Sequence, residues 1–295
     1  MIELCTPEVY LLGVQQVNDA ELERFLAAEG VASWTTDSSV AGEVLAEVAG
    51  RVCYMSYAKP RPGGNAEYIR HIKEVGHGSV LEHAVYTLII TGVSRSFSHE
   101  LVRHRAGFAY SQLSQRYVDA SQCRFIVPHA LMEEVSAAAR QIKLYPHADA
   151  DPANIALFTN EKEEAGAVWL EAVTVTQEAY KYLSDYLQKR DTPMTMPEVK
   201  CDPAERTAAR KAARQAARSV LPNATETKIE VTANVRALRH FIEMRCSRHA
   251  ETEIRNVAYT VWKTLNAVAP NLFGDYTENQ LPDGTIELNT QYRKV

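Results

Sequence analysis

The feature that most constrains this chain is the segment Arg103–Tyr117, RHRAGFAYSQLSQRY. It begins with three basic residues that fall at the end of a predicted helix. Small and aromatic residues follow, and then a run rich in serine, glutamine and arginine. Serine and glutamine side chains both donate and accept hydrogen bonds, and a guanidinium binds phosphate through two nitrogens. The segment therefore predicts an anion site beside a neutral hydrogen-bonding loop, which is what a nucleotide requires.

The basic residues follow a predicted strand-to-helix junction that recurs later in the chain. Thr91–His99 aligns without gaps with Thr232–His240, and each segment carries Arg and His four residues apart, on one helix face. A helix N-terminus with an arginine attracts phosphate. The two junctions are therefore either related anion-binding helix starts or a chance match, since only three of nine positions are identical.

The bulk composition excludes several classes of protein. With 295 residues, 46% hydrophobic and 23% charged, the chain is typical of a globular protein of one or two domains. A formal net charge of −5 argues against a general nucleic-acid binder. No apolar run approaches the roughly 18 residues that span a bilayer, and the N-terminus lacks the features of a signal peptide. We therefore expect a cytoplasmic protein that binds neither nucleic acid nor membrane.

The cysteines and histidines do not form a metal-binding pattern. Five cysteines are scattered without a CxxC pair, which predicts reduced thiols rather than a disulfide framework or a zinc site. His77 and His83 flank Ser79 but lack a third ligand at metal spacing. We expect no metal.

The pattern of apolar residues and turn formers predicts a mixed, mainly helical chain. Asn65 is the predicted N-cap of the second helix and Gly76 its stop. Residues 145–154 are predicted to form an exposed loop, and Thr192-Pro193 ends the longest helix. Helices are predicted over 39–57, 65–75, 92–105, 131–144, 161–190, 205–220, 234–249 and 251–268, and strands over 84–91 and 228–232.

The order RHR, eight residues, then Ser-Gln-Arg-Tyr resembles the signature of the flavin-dependent thymidylate synthases. Further stretches resemble that family in the same order, with coverage from about Gly42 to Phe273: 66–72, 76–83, 214–227 and 234–245. The resemblance implies an α+β fold, a largely antiparallel central sheet wrapped by helices, without a Rossmann unit. Consistently, no GxGxxG motif follows a strand. Residues 1–295 are expected to form a single domain, with a variable helical block and a surface insertion around 131–191.

The resemblance also implies the reaction. A member of this family methylates dUMP reductively to dTMP, with FAD as cofactor, methylenetetrahydrofolate as carbon donor and NADPH as reductant. It implies a homotetramer whose active sites lie at subunit interfaces. The predicted FAD contacts are Ser79, Arg95, Arg103, His104, Arg105, Asn234, Arg236 and His240. The predicted dUMP contacts are Glu100, Leu101, Val102, Arg103, Gln112, Leu113, Ser114, Gln115, Arg116, Arg218 and Arg245.

By the same resemblance, Arg245 is the catalytic residue that favours ionised N3 of the pyrimidine. A guanidinium stays protonated at neutral pH because its pKa exceeds about 12, so it stabilises an anionic ring instead of acting as a base. Ser114 is expected to orient the substrate. No Ser-His-Asp arrangement is visible around it that would make it a nucleophile.

Two departures and two alternatives stay open at this stage. The commoner family spacing between RHR and the motif serine is seven residues, so the conformation of Gly107 and Phe108 is undetermined. Residues 145–160 are predicted to form a surface insertion.

One alternative is a flavoprotein that binds FAD and nucleotide but acts only as an NADPH oxidase or sensor. The other is an RNA-binding protein that uses the arginines spaced by four along one helix, although such a row is usually a solvated face: Arg206, Arg210, Arg214 and Arg218.

Overall fold

The computed structural model describes residues 6–58, 62–144, 160–191 and 202–293. The strands are β1 (Glu8–Val14), β2 (Val85–Ser94), β3 (Phe108–Gln112), β4 (Glu226–Asn234), β5 (Thr277–Gln280) and β6 (Ile286–Asn289). The helices are α1 (Asp19–Ala28), α2 (Ala41–Tyr54), α3 (Gly64–Glu74), α4 (Arg95–Leu101), α5 (Met132–Leu144), α6 (Glu161–Asp191), α7 (Pro203–Ala217), α8 (Val235–Arg245), α9 (Thr252–Val268) and α10 (Pro270–Phe273).

A four-stranded antiparallel sheet has the strand order β1-β2-β4-β3, and β5 and β6 form a separate antiparallel hairpin. β1 pairs with β2 from Glu8 opposite Thr91 to Val14 opposite Tyr86. The two strands that the sequence predicts are the central ones, β2 and β4. The α+β class with a largely antiparallel sheet is confirmed.

The chain divides into two compact units. Unit 1 comprises Met1–Thr6, Gly92–Ser98 and Gln112–Thr227, and unit 2 comprises Pro7–Thr91, His99–Ser111 and Lys228–Val295. The single-domain organisation stays a prediction.

Unit 2 contains most of the sheet and the C-terminal helices. Alternate residues of β2 are buried, as expected for a strand with one covered face, and they include Leu88 and Ile90. Helix α9 buries residues three or four positions apart, among them Ile254, Val261 and Leu265, and it packs against β1 and α8. This packing holds α8 in place.

Unit 1 contains a three-helix packing arrangement in which α6 contacts both α5 and α7. The approach of α5 to α6 is so close that a Cβ on Gly166 would lie 2.1 Å from the carbonyl oxygen of Glu134. Further along α6, the buried Tyr180 hydroxyl accepts a hydrogen bond from the amide of Ala120 at 3.1 Å. The helices predicted over 131–144, 161–190 and 205–220 are confirmed with small shifts of their ends.

The predicted helix over 92–105 is wrong at both ends. Strand β2 continues to Ser94, and the Ser94 hydroxyl accepts a hydrogen bond from the amide of Phe97 at 3.0 Å, so that it caps α4. The helix ends at Leu101, and Phe108–Gln112 forms β3 within the stretch that was predicted as a loop. Helix α8 likewise ends at Arg245, four residues before the predicted end.

Asn65 is not the N-cap of α3, which begins at Gly64. The side chain of Asn65 is only 1% exposed, and its amide donates to the Glu43 carbonyl at 3.1 Å and to Glu47 at 2.8 Å. The carboxylate of Asp37, remote in sequence, accepts from the Asn65 backbone amide at 2.7 Å. Gly76 does end the helical stretch, with a φ of 72°. The predicted loop at 145–154 and the predicted stop at Thr192-Pro193 lie outside the described residues.

Candidate active site

Arg245, in the last turn of α8, is the centre of a polar cluster in unit 2. Its Nη1 donates to Glu100 Oε2 at 2.8 Å, and its Nε donates to His104 Nε2 at 2.9 Å. All three side chains are partly exposed, so the cluster is open to a ligand. The structure thus brings together the predicted catalytic arginine, one predicted dUMP contact and one predicted FAD contact.

His104 lies in an aromatic environment that keeps its imidazole neutral. Its ring is 5.3 Å from the Phe241 ring and 6.0 Å from the rings of Phe108 and His240. Burial, together with the charges of Arg245 and His240, lowers the pKa of His104 to about 4. A neutral His104 can accept the N–H of Arg245 at Nε2, which requires the ring proton to be on Nδ1.

The segment between RHR and β3 is held against the start of α8. Gly107 has a φ of 75°, and its carbonyl accepts from the Asn234 amide at 3.2 Å. A Cβ at Gly107 would lie 2.7 Å from Asn234 Nδ2 and 2.8 Å from the Ala237 Cβ. Phe108 then stacks on Tyr110, with ring centroids 5.6 Å apart. The eight-residue spacing is therefore accommodated by a left-handed glycine and an edge strand.

The strand-to-helix junction at β4 and α8 has the same capping geometry as the junction at β2 and α4. The Asn234 side-chain oxygen accepts from the amide of Ala237 at 2.9 Å, three residues on, as Ser94 does for Phe97. Both segments of the internal alignment are therefore strand-to-helix junctions, as the sequence predicts. Their capping residues, which were not predicted, lie one position apart in the alignment. Arg236, on the first turn of α8, pairs with Glu82 at 2.6 Å.

The other predicted residues of unit 2 differ in exposure. The side chains of Ser79, Arg103 and Arg105 are exposed. Among the described residues, the guanidinium groups of Arg103 and Arg105 have no hydrogen-bond or ion-pair partner. His240 is exposed and Val102 half-buried. Leu101 is only 1% exposed, and its carbonyl accepts from the Tyr110 hydroxyl at 2.9 Å. Any contact of Leu101 with substrate would involve its backbone, and its assignment stays a prediction.

In unit 1, Arg95 and Arg218 form a pair of neighbouring cations. Burial and the charge of Arg218 lower the pKa of Arg95. The hydrogen bonds of the Arg95 side chain are long and go to neutral groups, the Leu113 carbonyl at 3.4 Å and the Thr227 hydroxyl at 3.5 Å. Within the described part of the chain, neither guanidinium has a carboxylate partner. Two such cations favour binding of an anion.

A neutral hydrogen-bonding group accompanies this cation pair. The Gln112 amide nitrogen donates to the Ser98 hydroxyl at 2.7 Å and to the Thr227 hydroxyl at 3.2 Å. These two bonds orient the side chain and leave its oxygen as an acceptor. Sequence reasoning did not select Ser98 or Thr227. Both residues are far from Gln112 in the chain, and nothing in the sequence pattern places them next to it.

Ser114 lies in a turn and not in a nucleophile arrangement. Its hydroxyl accepts from the backbone amide of Arg116 at 3.3 Å, and its carbonyl accepts from the amides of Tyr117 and Val118. The Nε of Arg116 is buried without a hydrogen-bond partner, which is costly unless a ligand supplies one. Gln115 is half-buried beside it in sequence. The turn thus presents a guanidinium whose bonding is incomplete.

The arginines spaced by four along α7 have different surroundings and do not form one binding surface. Arg214 bonds to the Tyr117 carbonyl and pairs with Asp119 at 3.3 Å, whereas Arg206 and Arg210 line an open cavity of about 370 Å³. Only Arg218, after the helix, belongs to the cation pair. In the described ranges there is no group of three or more potential metal ligands. None of the described helices is long and apolar enough to cross a membrane.

Comparison with known proteins identifies the family. The family described as "Thymidylate synthase complementing protein" matches residues 36–271. The chain is 44% identical over 263 residues to the flavin-dependent thymidylate synthase of Mycobacterium tuberculosis, covering 88% of this chain and 89% of that one. It is 42% identical over 254 residues to the enzyme of the same name from Mycolicibacterium gilvum, covering 85% and 86% of the two chains. For that of Mycobacteroides abscessus the identity is 41% over 280 residues, covering 94% and 95%.

The match includes the RHR segment, the turn at Ser114 and the whole of α8. It therefore contains both the cluster around Arg245 and the cation pair of Arg95 and Arg218. On these grounds the chain belongs to the family of flavin-dependent thymidylate synthases.

Proposed function

We propose that this protein methylates dUMP reductively to dTMP, with methylenetetrahydrofolate as carbon donor, NADPH as reductant and FAD as cofactor. The observation that carries the proposal is the pair of partly buried cations, Arg95 and Arg218, that lacks a carboxylate partner among the described residues. A phosphate monoester supplies the missing negative charge and can bond to both guanidinium groups. This proposal moves Arg95, which the resemblance implies as an FAD contact, to the substrate phosphate. Gln112, which is held by Ser98 and Thr227, supplies an adjacent acceptor for the rest of a nucleotide.

Arg245 supplies the electrostatic component of the reaction. A pyrimidine ring that loses its N3 proton carries negative charge, and a fixed guanidinium stabilises that charge. The same charge makes C5 of the ring more nucleophilic toward a one-carbon unit. Because an arginine cannot accept the proton at neutral pH, its role is to stabilise the anion.

The residues of unit 2 fit an FAD molecule chemically. The guanidinium groups of Arg103 and Arg105, which have no partner among the described residues, suit a diphosphate. The half-buried rings of His104 and Phe108, backed by the buried Phe241, suit a flat aromatic ring. These side chains would hold the cofactor. Asn234 and Arg236 lie at the start of α8, the helix that also contains Phe241. When bound, a flavin supplies the hydride chemistry that no side chain can perform.

The proposal includes a homotetramer with active sites at subunit interfaces and a cytoplasmic location. Exposed apolar side chains at intervals of seven along α6, Val168, Val175 and Tyr182, offer a surface for another chain. Ser79, which the resemblance places near the flavin of a neighbouring subunit, is exposed. The free thiols of Cys53, Cys123 and Cys246 fit a reducing compartment.

The test is an anaerobic assay of the purified protein with dUMP, methylenetetrahydrofolate and NADPH. We expect dTMP and tetrahydrofolate in equal amounts, and absorbance near roughly 450 nm from oxidised flavin before the reaction. Omission of any one substrate should abolish dTMP. Reduction of the flavin by NADPH without dTMP formation would identify an oxidase or a sensor, and a colourless protein would remove the flavin assignment as well.

A further inference from the structure

The guanidinium group of Arg245 is held at two of its three nitrogens. Nη1 bonds to Glu100 and Nε to His104, while Nη2 has no hydrogen-bond partner among the described residues. Because a guanidinium is planar, fixing two nitrogens fixes the plane and the direction of the third. The two contacts therefore set where the remaining N–H groups point.

The contact from His104 exists only while the imidazole is neutral. A proton on Nε2 would place a donor against the donor of Arg245, and the two would repel each other. The ring is in turn fixed by Phe241 and Phe108, and the His104 carbonyl accepts from the Tyr110 hydroxyl at 2.7 Å. The titratable and charged groups around it are Arg245 and His240 on α8, Glu100 on α4, Glu251 before α9, and Arg103 and Arg105 adjacent in sequence.

We propose that His104 and Glu100 are positioning residues for Arg245, which aim its Nη2 at the pyrimidine ring of the substrate. His104 acts through the lone pair of its neutral Nε2, and Glu100 acts through one carboxylate oxygen. This assignment rests on the proposed function for the identity of the ligand, but the arrangement of the three side chains does not. It gives the histidine of the RHR segment a role separate from contact with the flavin.

A pair of replacements separates positioning from general damage to the site. In His104→Gln the side-chain oxygen can replace Nε2 as acceptor, whereas His104→Leu keeps the bulk and removes the acceptor. Turnover per bound flavin should fall about 100-fold in His104→Leu, as for other misplaced catalytic groups. It should stay within about three-fold of wild type in His104→Gln, because the acceptor is retained. Turnover per bound flavin should likewise fall more in Glu100→Leu, which removes the acceptor, than in Glu100→Gln, which keeps one.

The matched control is His249→Leu, which removes an exposed imidazole of the same unit outside the cluster. It should leave turnover and flavin content unchanged. Equal losses in His104→Gln and His104→Leu would mean that the ring serves only packing or flavin contact, and would overturn the proposal.

A second measurement does not depend on activity. Nitrogen-15 NMR of histidine-labelled protein should show His104 neutral at pH 7, with its proton on Nδ1. In Arg245→Gln, the protonation midpoint of His104 should move upward because a neighbouring positive charge is lost. An unmoved midpoint, or a proton on Nε2, contradicts the positioning role. If the wild type makes no dTMP while this coupling is present, the proposed function fails and the positioning of Arg245 stands.

Discussion

Nε of Arg245 lies 2.9 Å from Nε2 of His104, although 141 residues separate them in the chain. The contact joins the end of α8 to the segment after α4. It also joins the residue with the proposed electrostatic role to the motif that most constrains the sequence. The motif alone predicts a cationic anion site. With Arg245 bound to it, the histidine of that motif becomes an acceptor that must be neutral.

Replacement of Arg245 by lysine should reduce catalysis much more than cofactor binding. A lysine keeps the charge but lacks the planar fork that bonds Glu100 and His104 together. We expect turnover to fall about 100-fold or more, as for loss of a fixed donor to a developing anion. Flavin content, measured by absorbance after denaturation, should stay near wild type. Arg293→Lys, at an exposed arginine paired with Glu243, is the control. Loss of FAD with unchanged turnover per flavin would reverse the assignment.

Stability should depend on pH through His104. Burial and nearby positive charge lower its pKa from 6.5 to about 4, so between these values the unfolded chain binds more protons than the folded one. The free energy of unfolding should therefore rise with pH through this window and fall on acidification. Urea denaturation of wild type and His104→Gln at several pH values measures the effect. The difference between the two proteins should change between about pH 4 and 6.5; a constant difference there would contradict the shift.

The sequence predicts the parts of this site that depend on local pattern. The two strand-to-helix junctions follow from the alignment of Thr91–His99 with Thr232–His240, because the change from strand to helix is a local feature. Strand β3 and the contact between Arg245 and His104 are not predictable in this way. Phe108–Gln112 is too short and polar to signal a strand, and its pairing depends on a β4 more than 100 residues later. Likewise, asparagine is a residue type typical of helix caps, but Asn65 is buried and bonds to Glu43 and Glu47 of α2.

Asp275 should be a major contributor to the stability of unit 2. Its carboxylate bonds to Arg239 at 2.7 Å and to Lys73 at 2.6 Å, and both cations are buried. Although burial acts in the opposite direction, the two cations hold the pKa of Asp275 well below its usual range. Asp275→Asn leaves them without a counter-charge and should destabilise by about 3–5 kcal/mol in urea denaturation. The exposed pair of Glu133 and Lys162 gives the comparison: Glu133→Gln should leave the free energy of unfolding nearly unchanged, because solvent screens an exposed ion pair.

Gly107→Ala should damage the site through the backbone. The residue has a φ of 75°, and an added Cβ would lie within 2.8 Å of both Asn234 and Ala237. Gly30→Ala is the matched control, because Gly30 has a φ of 71° with nothing within 4 Å of its Cβ position. We expect about 1 kcal/mol of destabilisation at Gly30 from conformation alone, and about 3 kcal/mol at Gly107. Thermal unfolding and flavin content report the difference, and equal effects at both positions would argue against contact between this loop and α8.

Arg218→Gln should weaken binding of the substrate phosphate specifically. The substitution removes one of two neighbouring cations and keeps a hydrogen-bonding side chain of similar reach. Loss of a charged hydrogen bond of about 1.5–3 kcal/mol corresponds to a rise of about 10- to 150-fold in the KM for dUMP. Arg206→Gln, at an exposed arginine on the preceding helix, should leave KM unchanged and shows whether general basicity matters. The decisive comparison is deoxyuridine, which lacks the phosphate: its weak binding should be equal in wild type and Arg218→Gln. An equal loss for both ligands would move Arg218 from the phosphate to the base or to the fold.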